Sequence, residues 1–197
     1  MKSFTLLAAA AAALAFAAPA AQAVTVVYTA VLNGASESPP NGAPGFGTAT
    51  VTFNFDTLAM RVQSTFTGLS SGVTAAHIHC CTAVALTGTA GVATVTPSFT
   101  GFPSGVTAGT YDQTFDMGAA ASYNAAFITA QGSLAAAIAS FEAGLGGGKT
   151  YFNIHTTNFG GGEIRGFLAA PIPEPSTYAL MALGLMGVAA AARKRRA

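Results

Sequence analysis

Thr48-Ala49-Thr50-Val51-Thr52-Phe53-Asn54-Phe55 sets Ala49, Val51, Phe53 and Phe55 on one side of an extended chain and Thr48, Thr50, Thr52 and Asn54 on the other. Such period-two alternation is the pattern of a half-buried strand. A tight turn near Asp56-Thr57 leads into a second run, Leu58, Met60, Val62 and Phe66 against Arg61, Gln63 and Thr65, and the two runs predict an antiparallel hairpin. Val24 to Leu32 is a β-branched first strand, and the prolines and glycines between Glu37 and Gly45 mark a long shaped loop. Gly88 to Gly118 reads as short strands and turns. Ser133 caps a helix whose Leu134, Ile138, Phe141 and Leu145 form one stripe, stopped by the glycines from Gly144 to Gly148. A last hairpin pairs Thr150 to Thr156 with Glu163 to Leu168 across Asn158 to Gly162, whose glycines permit a sharp return. The pattern predicts a mostly β domain, an antiparallel two-sheet sandwich with one short helix.

Two terminal segments flank this domain. Lys2, an apolar run from Phe4 to Ala18 and the small-x-small site Ala21-Gln22-Ala23 read as a secretory signal peptide over residues 1–23. Residues 24–170 form the domain, and 171–197 a tail built of Pro173-Glu174-Pro175, an uncharged apolar helix from Ser176 to Ala192, and Arg193-Lys194-Arg195-Arg196. The apolar run is short for a permanent anchor, yet it could span a bilayer with little tilt, its basic end held on the cytoplasmic side. Within the domain, Arg61, Lys149 and Arg165 stand against Glu37, Asp56, Asp112, Asp116, Glu142 and Glu163, a net charge of −3. That balance leaves no basic footprint for nucleic acid.

All three histidines lie in two strand-like patches, Ala75-Ala76-His77-Ile78-His79 and Phe152-Asn153-Ile154-His155. Alternation turns His77 and His79 to one face and Ile78 to the other, and sets Asn153 and His155 opposite Phe152 and Ile154. Glu163 and Arg165 share a face in the last hairpin, and its register brings Glu163 near His155, predicting a polar cluster of His77, His79, His155, Asn153, Glu163 and Arg165. Two readings stay open. Three neutral imidazoles with a free position suit Zn²⁺ or Cu²⁺; alternatively the rings bond backbone groups or Glu163 and serve shape alone. Cys80-Cys81 follows directly, the only cysteines. In an exported chain they read as a vicinal disulfide, with free thiols, intermolecular bridges or soft metal ligands as alternatives.

Two families share these motifs. The tail resembles the PEP-CTERM sorting signal of Gram-negative bacteria, which implies handling by the export machinery and exosortase at the inner membrane, then release or attachment in an extracellular polysaccharide matrix. The order Glu37-Ser38-Pro39-Pro40, Gly68-Leu69, Thr74-Ala75-Ala76-His77-Ile78-His79, Tyr151-Phe152-Asn153-Ile154-His155-Thr156 and Gly161-Gly162-Glu163-Ile164-Arg165-Gly166 resembles the CHRD domain, named after chordin. Cys80-Cys81 stands where that family commonly turns with a Gly-Pro type pair. The resemblance implies an extracellular β-rich module. Three functions follow as expectations: a structural or binding component of the exopolysaccharide or biofilm matrix, a metal-binding domain that takes zinc or copper and could be redox-active, and a protein-interaction module for surface proteins. With no serine-nucleophile motif, phosphate loop or paired carboxylates, a non-catalytic role is favoured over an enzyme.

Overall fold

A computed structural model describes residues 24–171 and 175–194. The expected signal peptide, residues 1–23, lies outside them, as do Pro173, Glu174, Arg195 and Arg196. Among the described residues seven strands form: β1 (Thr25–Asn33), β2 (Phe46–Asn54), β3 (Ala59–Thr67), β4 (Val73–Cys80), β5 (Gly109–Asp116), β6 (Thr150–Thr156) and β7 (Ile164–Phe167). The predicted hairpins are present. Asn54 pairs with Ala59 at the end of β2 and β3, and the Asn54 side chain accepts hydrogen bonds from the Asp56 and Thr57 amides to close the turn. β6 and β7 pair from Tyr151↔Phe167 to Ile154↔Ile164.

The expected sandwich is corrected. All seven strands join one antiparallel sheet in the order β4-β6-β7-β1-β2-β3-β5. The seam lies between β7 and β1, where Asn33 pairs with Arg165 and Thr29 and Ala169 exchange both backbone hydrogen bonds. Alternation specifies a buried face but says nothing about how many sheets share it. Instead of meeting a second sheet, this one curls. β4 and β5, neighbours in sequence, become its two edges, and the segment between them fills the space they leave. Phe99 donates its amide to Ala76 of β4, and its buried ring meets Phe115 and Tyr111 of β5 and Phe152 of β6 at 5.2, 6.1 and 5.8 Å. Farther on, the Val73 amide donates to Val106 and the Leu69 amide to Thr107.

The helix count is also corrected. The predicted helix is α2 (Leu134–Gly146), following the shorter α1 (Ala125–Gln131). The Ser133 side chain accepts from the Ala136 amide as the expected cap, and Phe141 and Leu145 are buried while Leu134 and Ile138 are half-buried. α1 has its own signals, an Asn124 cap and a left-handed Gly132 at φ +89°, but only two turns between them. α3 (Pro175–Lys194) forms in the tail, with Leu180, Met181, Leu183, Leu185, Met186 and Val188 exposed. Among the described residues no helix is long and apolar enough to cross a membrane, so the expected tail span is not found.

Phe99 joins the two sheet edges, so its truncation leaves a cavity where three strands meet. Phe99→Ala is expected to cost about 3–5 kcal/mol, read as a lowered urea midpoint. A loss below about 1 kcal/mol would show that the edges hold without the ring.

Candidate metal centre

β6 is buried at every position, and β4 is buried from Ala76 to Cys80. One face of this part of the sheet carries Ile78, Phe152, Ile154 and Ile164 into the apolar core. The other is polar yet hidden, because loops fold over it. The cross-strand register sets out that second face as a lattice: His77 pairs with Asn153 and Asn153 with Arg165, while His79 pairs with Tyr151 and Tyr151 with Phe167. Ala75 pairs with His155, and Glu163 follows one step beyond the Ile154–Ile164 pair. Every predicted member of the polar cluster therefore lies on one face.

Each imidazole is held by a backbone carbonyl of a covering loop, two from the β4–β5 segment and one from the turn of the last hairpin. His77 Nδ1 lies 3.0 Å from the Pro97 oxygen, His79 Nδ1 2.8 Å from Ala90 and His155 Nδ1 2.9 Å from Gly160. A carbonyl oxygen can only accept, so each Nδ1 carries the hydrogen and each neutral ring keeps its lone pair on Nε2. Those lone pairs converge. The three ligand atoms lie within 4.8 Å of one another, and the Nε2 atoms of His77 and His155 are 2.9 Å apart. With both in acceptor form, that contact is no hydrogen bond but two electron pairs facing a common point. His79 Nε2 is buried and has no protein partner.

Burial holds the rings neutral. Desolvation is the leading cause that pushes His77 down to about 4, with the hydrogen bond to Pro97 working against it and the charge of His155 adding to it. His79 is pushed to about 3 by burial first, then by His77. His155 is lowered for the same reason. Rings that resist protonation keep Nε2 free for a metal, and a ring N–H fixed by a backbone carbonyl is the usual support of a metal-ligating histidine. Donors about 2.0–2.1 Å from one ion at tetrahedral angles would be roughly 3.3 Å apart. The 2.9 Å contact is thus within a few tenths of an ångström of a coordinated pair.

The remaining polar residues do not join the convergence. Glu163 is fully buried and committed elsewhere: the Ser70 amide donates to Oε1, and the Ser70 and Thr156 hydroxyls donate to Oε2. It ties the loop after β3 to the last hairpin. Arg165 donates from Nε to the Ser36 carbonyl, lies 3.8 Å from Glu37, and places its guanidinium over the Tyr151 ring at 4.7 Å. Asn153 leaves Oδ1 without a partner, as Glu37 leaves Oε1. Both crowd Gly162, where a Cβ would come within 2.7 Å of each oxygen. Burial pushes Glu37 up to about 7, against the lowering effect of Arg165.

Sequence reasoning missed Tyr151 and Glu37 as parts of this site. Tyr151 stacks on His79 at 4.5 Å, and its hydroxyl donates to the same Ala90 carbonyl that holds His79. The alternation that selected Asn153 and His155 runs through Tyr151 as well, so that signal was in reach. Glu37 lay in a loop with no period to orient it. Cys80 and Cys81 are in disulfide contact on the opposite face of β4, packed on Gly144 and the Ser140 carbonyl of α2, away from the imidazoles. Of the sorting residues, Pro175 begins α3, and Arg193 and Lys194 end it.

Comparison with known proteins adds the family. The CHRD domain matches residues 28–168, and the PEP-CTERM protein-sorting motif matches residues 171–196. No curated protein and no solved structure matches the chain. With the greater part of its length inside that first match, the chain belongs to the CHRD domain family and carries a PEP-CTERM sorting tail.

Proposed function

We propose that this protein is an extracellular metal-binding CHRD protein, in which His77, His79 and His155 hold one transition-metal ion. The tail makes the chain an exosortase-targeted, extracellular protein of a Gram-negative bacterium. One observation carries the metal reading: three loop carbonyls take the three Nδ1 hydrogens and leave three buried lone pairs converging, two of them 2.9 Å apart. A cluster that served shape alone would be complete with those three carbonyl bonds and would have no reason to bring two acceptors together. Tyr151 fixes the Ala90 carbonyl and so positions His79. The ion, when bound, supplies a Lewis-acid or redox centre; the residues supply neutral donors, fixed ring angles and a dry surround.

A second reading, a structural component of the exopolysaccharide or biofilm matrix, is supported by the sorting tail, and the two readings are compatible. The same account includes cleavage of residues 1–23, inner-membrane handling of the tail by exosortase, and a bridge between Cys80 and Cys81.

Elemental analysis of the exported chain, purified without a polyhistidine tag, is expected to give about one equivalent of copper or zinc, lost in His79→Ala/His155→Ala. A stoichiometry unchanged in that double variant would sink the reading. Acid supplies a second check. Because burial lowers the three histidines in the folded state, their contribution to the stability of the metal-free protein is fully present above about pH 6.5. That contribution is lost as pH falls through about 4 for His77 and about 3 for His79, and Glu37→Gln, which removes the opposing effect of a carboxyl raised to about 7, is the background in which to read it. A urea midpoint that stays flat through that window would mean that the rings are already charged or exposed. For the tail, Glu174→Ala is expected to leave an unprocessed, cell-retained precursor on an immunoblot; normal release would show that the Pro-Glu-Pro motif is not what the processing step reads.

A further inference from the structure

The choice of ion follows from the charge of the pocket, given that the metal reading above holds. Three neutral imidazoles bring no negative charge, and among the described residues the convergent group contains no carboxylate or thiolate. The acids nearby are otherwise engaged. Glu163 is saturated by Ser70 and Thr156. Glu37 stands beside Arg165, with its free oxygen against Asn153 and Gly162. The sulfurs of Cys80 and Cys81 pack on α2.

A fixed positive charge is present instead. Arg165 lies over Tyr151 at 4.7 Å and Tyr151 stacks on His79 at 4.5 Å, so the guanidinium sits one ring away from a candidate ligand. A guanidinium at that position repels a metal cation in proportion to the cation's charge. The ligands are only 5 to 9 % exposed, so little water remains to solvate that charge. The Born cost of burial grows as the square of the charge, making a divalent ion about four times as costly as a monovalent one. Cu²⁺ further prefers a tetragonal donor set, and three clustered nitrogens on two adjacent strands do not supply one.

We propose that the His77, His79 and His155 centre is a copper(I) site, selective for the monovalent ion over Zn²⁺ and Cu²⁺, with Arg165 as the residue that sets this preference. Arg165 acts at a distance and ligates nothing. Zinc could restore the balance only by taking a hydroxide as fourth ligand, which the buried, crowded setting opposes.

The test uses the exported chain, stripped of metal and titrated anaerobically with Cu(I) against a colorimetric Cu(I) chelator, and separately with Zn²⁺ against a zinc chelator. Cu(I) is expected to bind one equivalent at least about a hundredfold more tightly than Zn²⁺, with an X-ray absorption spectrum showing three nitrogen neighbours. Arg165→Gln is expected to narrow the Cu(I)-to-Zn²⁺ ratio by about tenfold or more, and Arg165→Lys to keep it. A loss of packing alone would weaken both ions alike and leave the ratio unmoved, so the ratio separates charge from structure. Zinc binding as tight as Cu(I), or an Arg165→Gln ratio equal to that of the parent, overturns the inference. Retention of neither ion would fail the metal reading itself, and this proposal with it.

Discussion

Three hydrogen bonds from imidazole to backbone carbonyl govern the organisation of this molecule. A sheet face made of His77, His79, His155, Asn153, Glu163 and Arg165 would ordinarily face water, since polar groups that lose water without gaining a partner cost stability. Here the face is covered by loops, and the loops are fastened to it by the very groups that would otherwise object to burial. Pro97, Ala90 and Gly160 each give one carbonyl to one ring. Glu163 fastens the loop at Ser70 and Arg165 fastens the loop at Ser36. The loops are therefore positioned by the sheet's side chains, and the rings are positioned by the loops. One consequence is chemical: with Nδ1 committed outward, Nε2 has no choice but to point inward.

The legible part of this arrangement came from period two. Once His77 and His79 are placed on a strand, the opposite placement of Ile78 follows, and the same rule puts Asn153, His155, Glu163 and Arg165 on a shared face when the last hairpin is closed by its glycines. What period two cannot supply is depth. Alternation of polar with apolar residues predicts a half-buried strand, whereas β6 is buried on both faces. The covering loops come from 34–45, 87–98 and 157–162, segments whose sequences carry turn residues but no periodicity. Their contribution is made through carbonyl oxygens, which every residue has, so no side chain announces which loop will hold which ring. Tyr151 is different. It sits in phase with the histidines and could have been read as their neighbour.

The single sheet was illegible for a related reason. Strand pairing between β7 and β1 joins segments more than a hundred residues apart through one ladder pair and one isolated bridge. Neither leaves a local pattern. The inward residues of a curled sheet and of a sandwich are the same residues, and only the closing segment tells them apart. Phe99 and Phe102 are that segment's anchors, set among Gly101, Pro103 and Gly105, where glycine and proline suppress the strand signal while the aromatics still reach the core.

Closure also separates the domain from its tail. Leu168 is fully buried, and Ala169 makes its two hydrogen bonds to Thr29 in the seam of the sheet. The sorting match begins at residue 171, just past that last attachment. No strand and no buried core side chain described for this chain comes from beyond it. Processing at the Pro-Glu-Pro motif would then cut a segment that the fold does not use. The described hydrogen bonds of the three histidines, on β4 and β6, all go to residues of the domain. The sorting motif and the histidine face thus occupy separate parts of one chain.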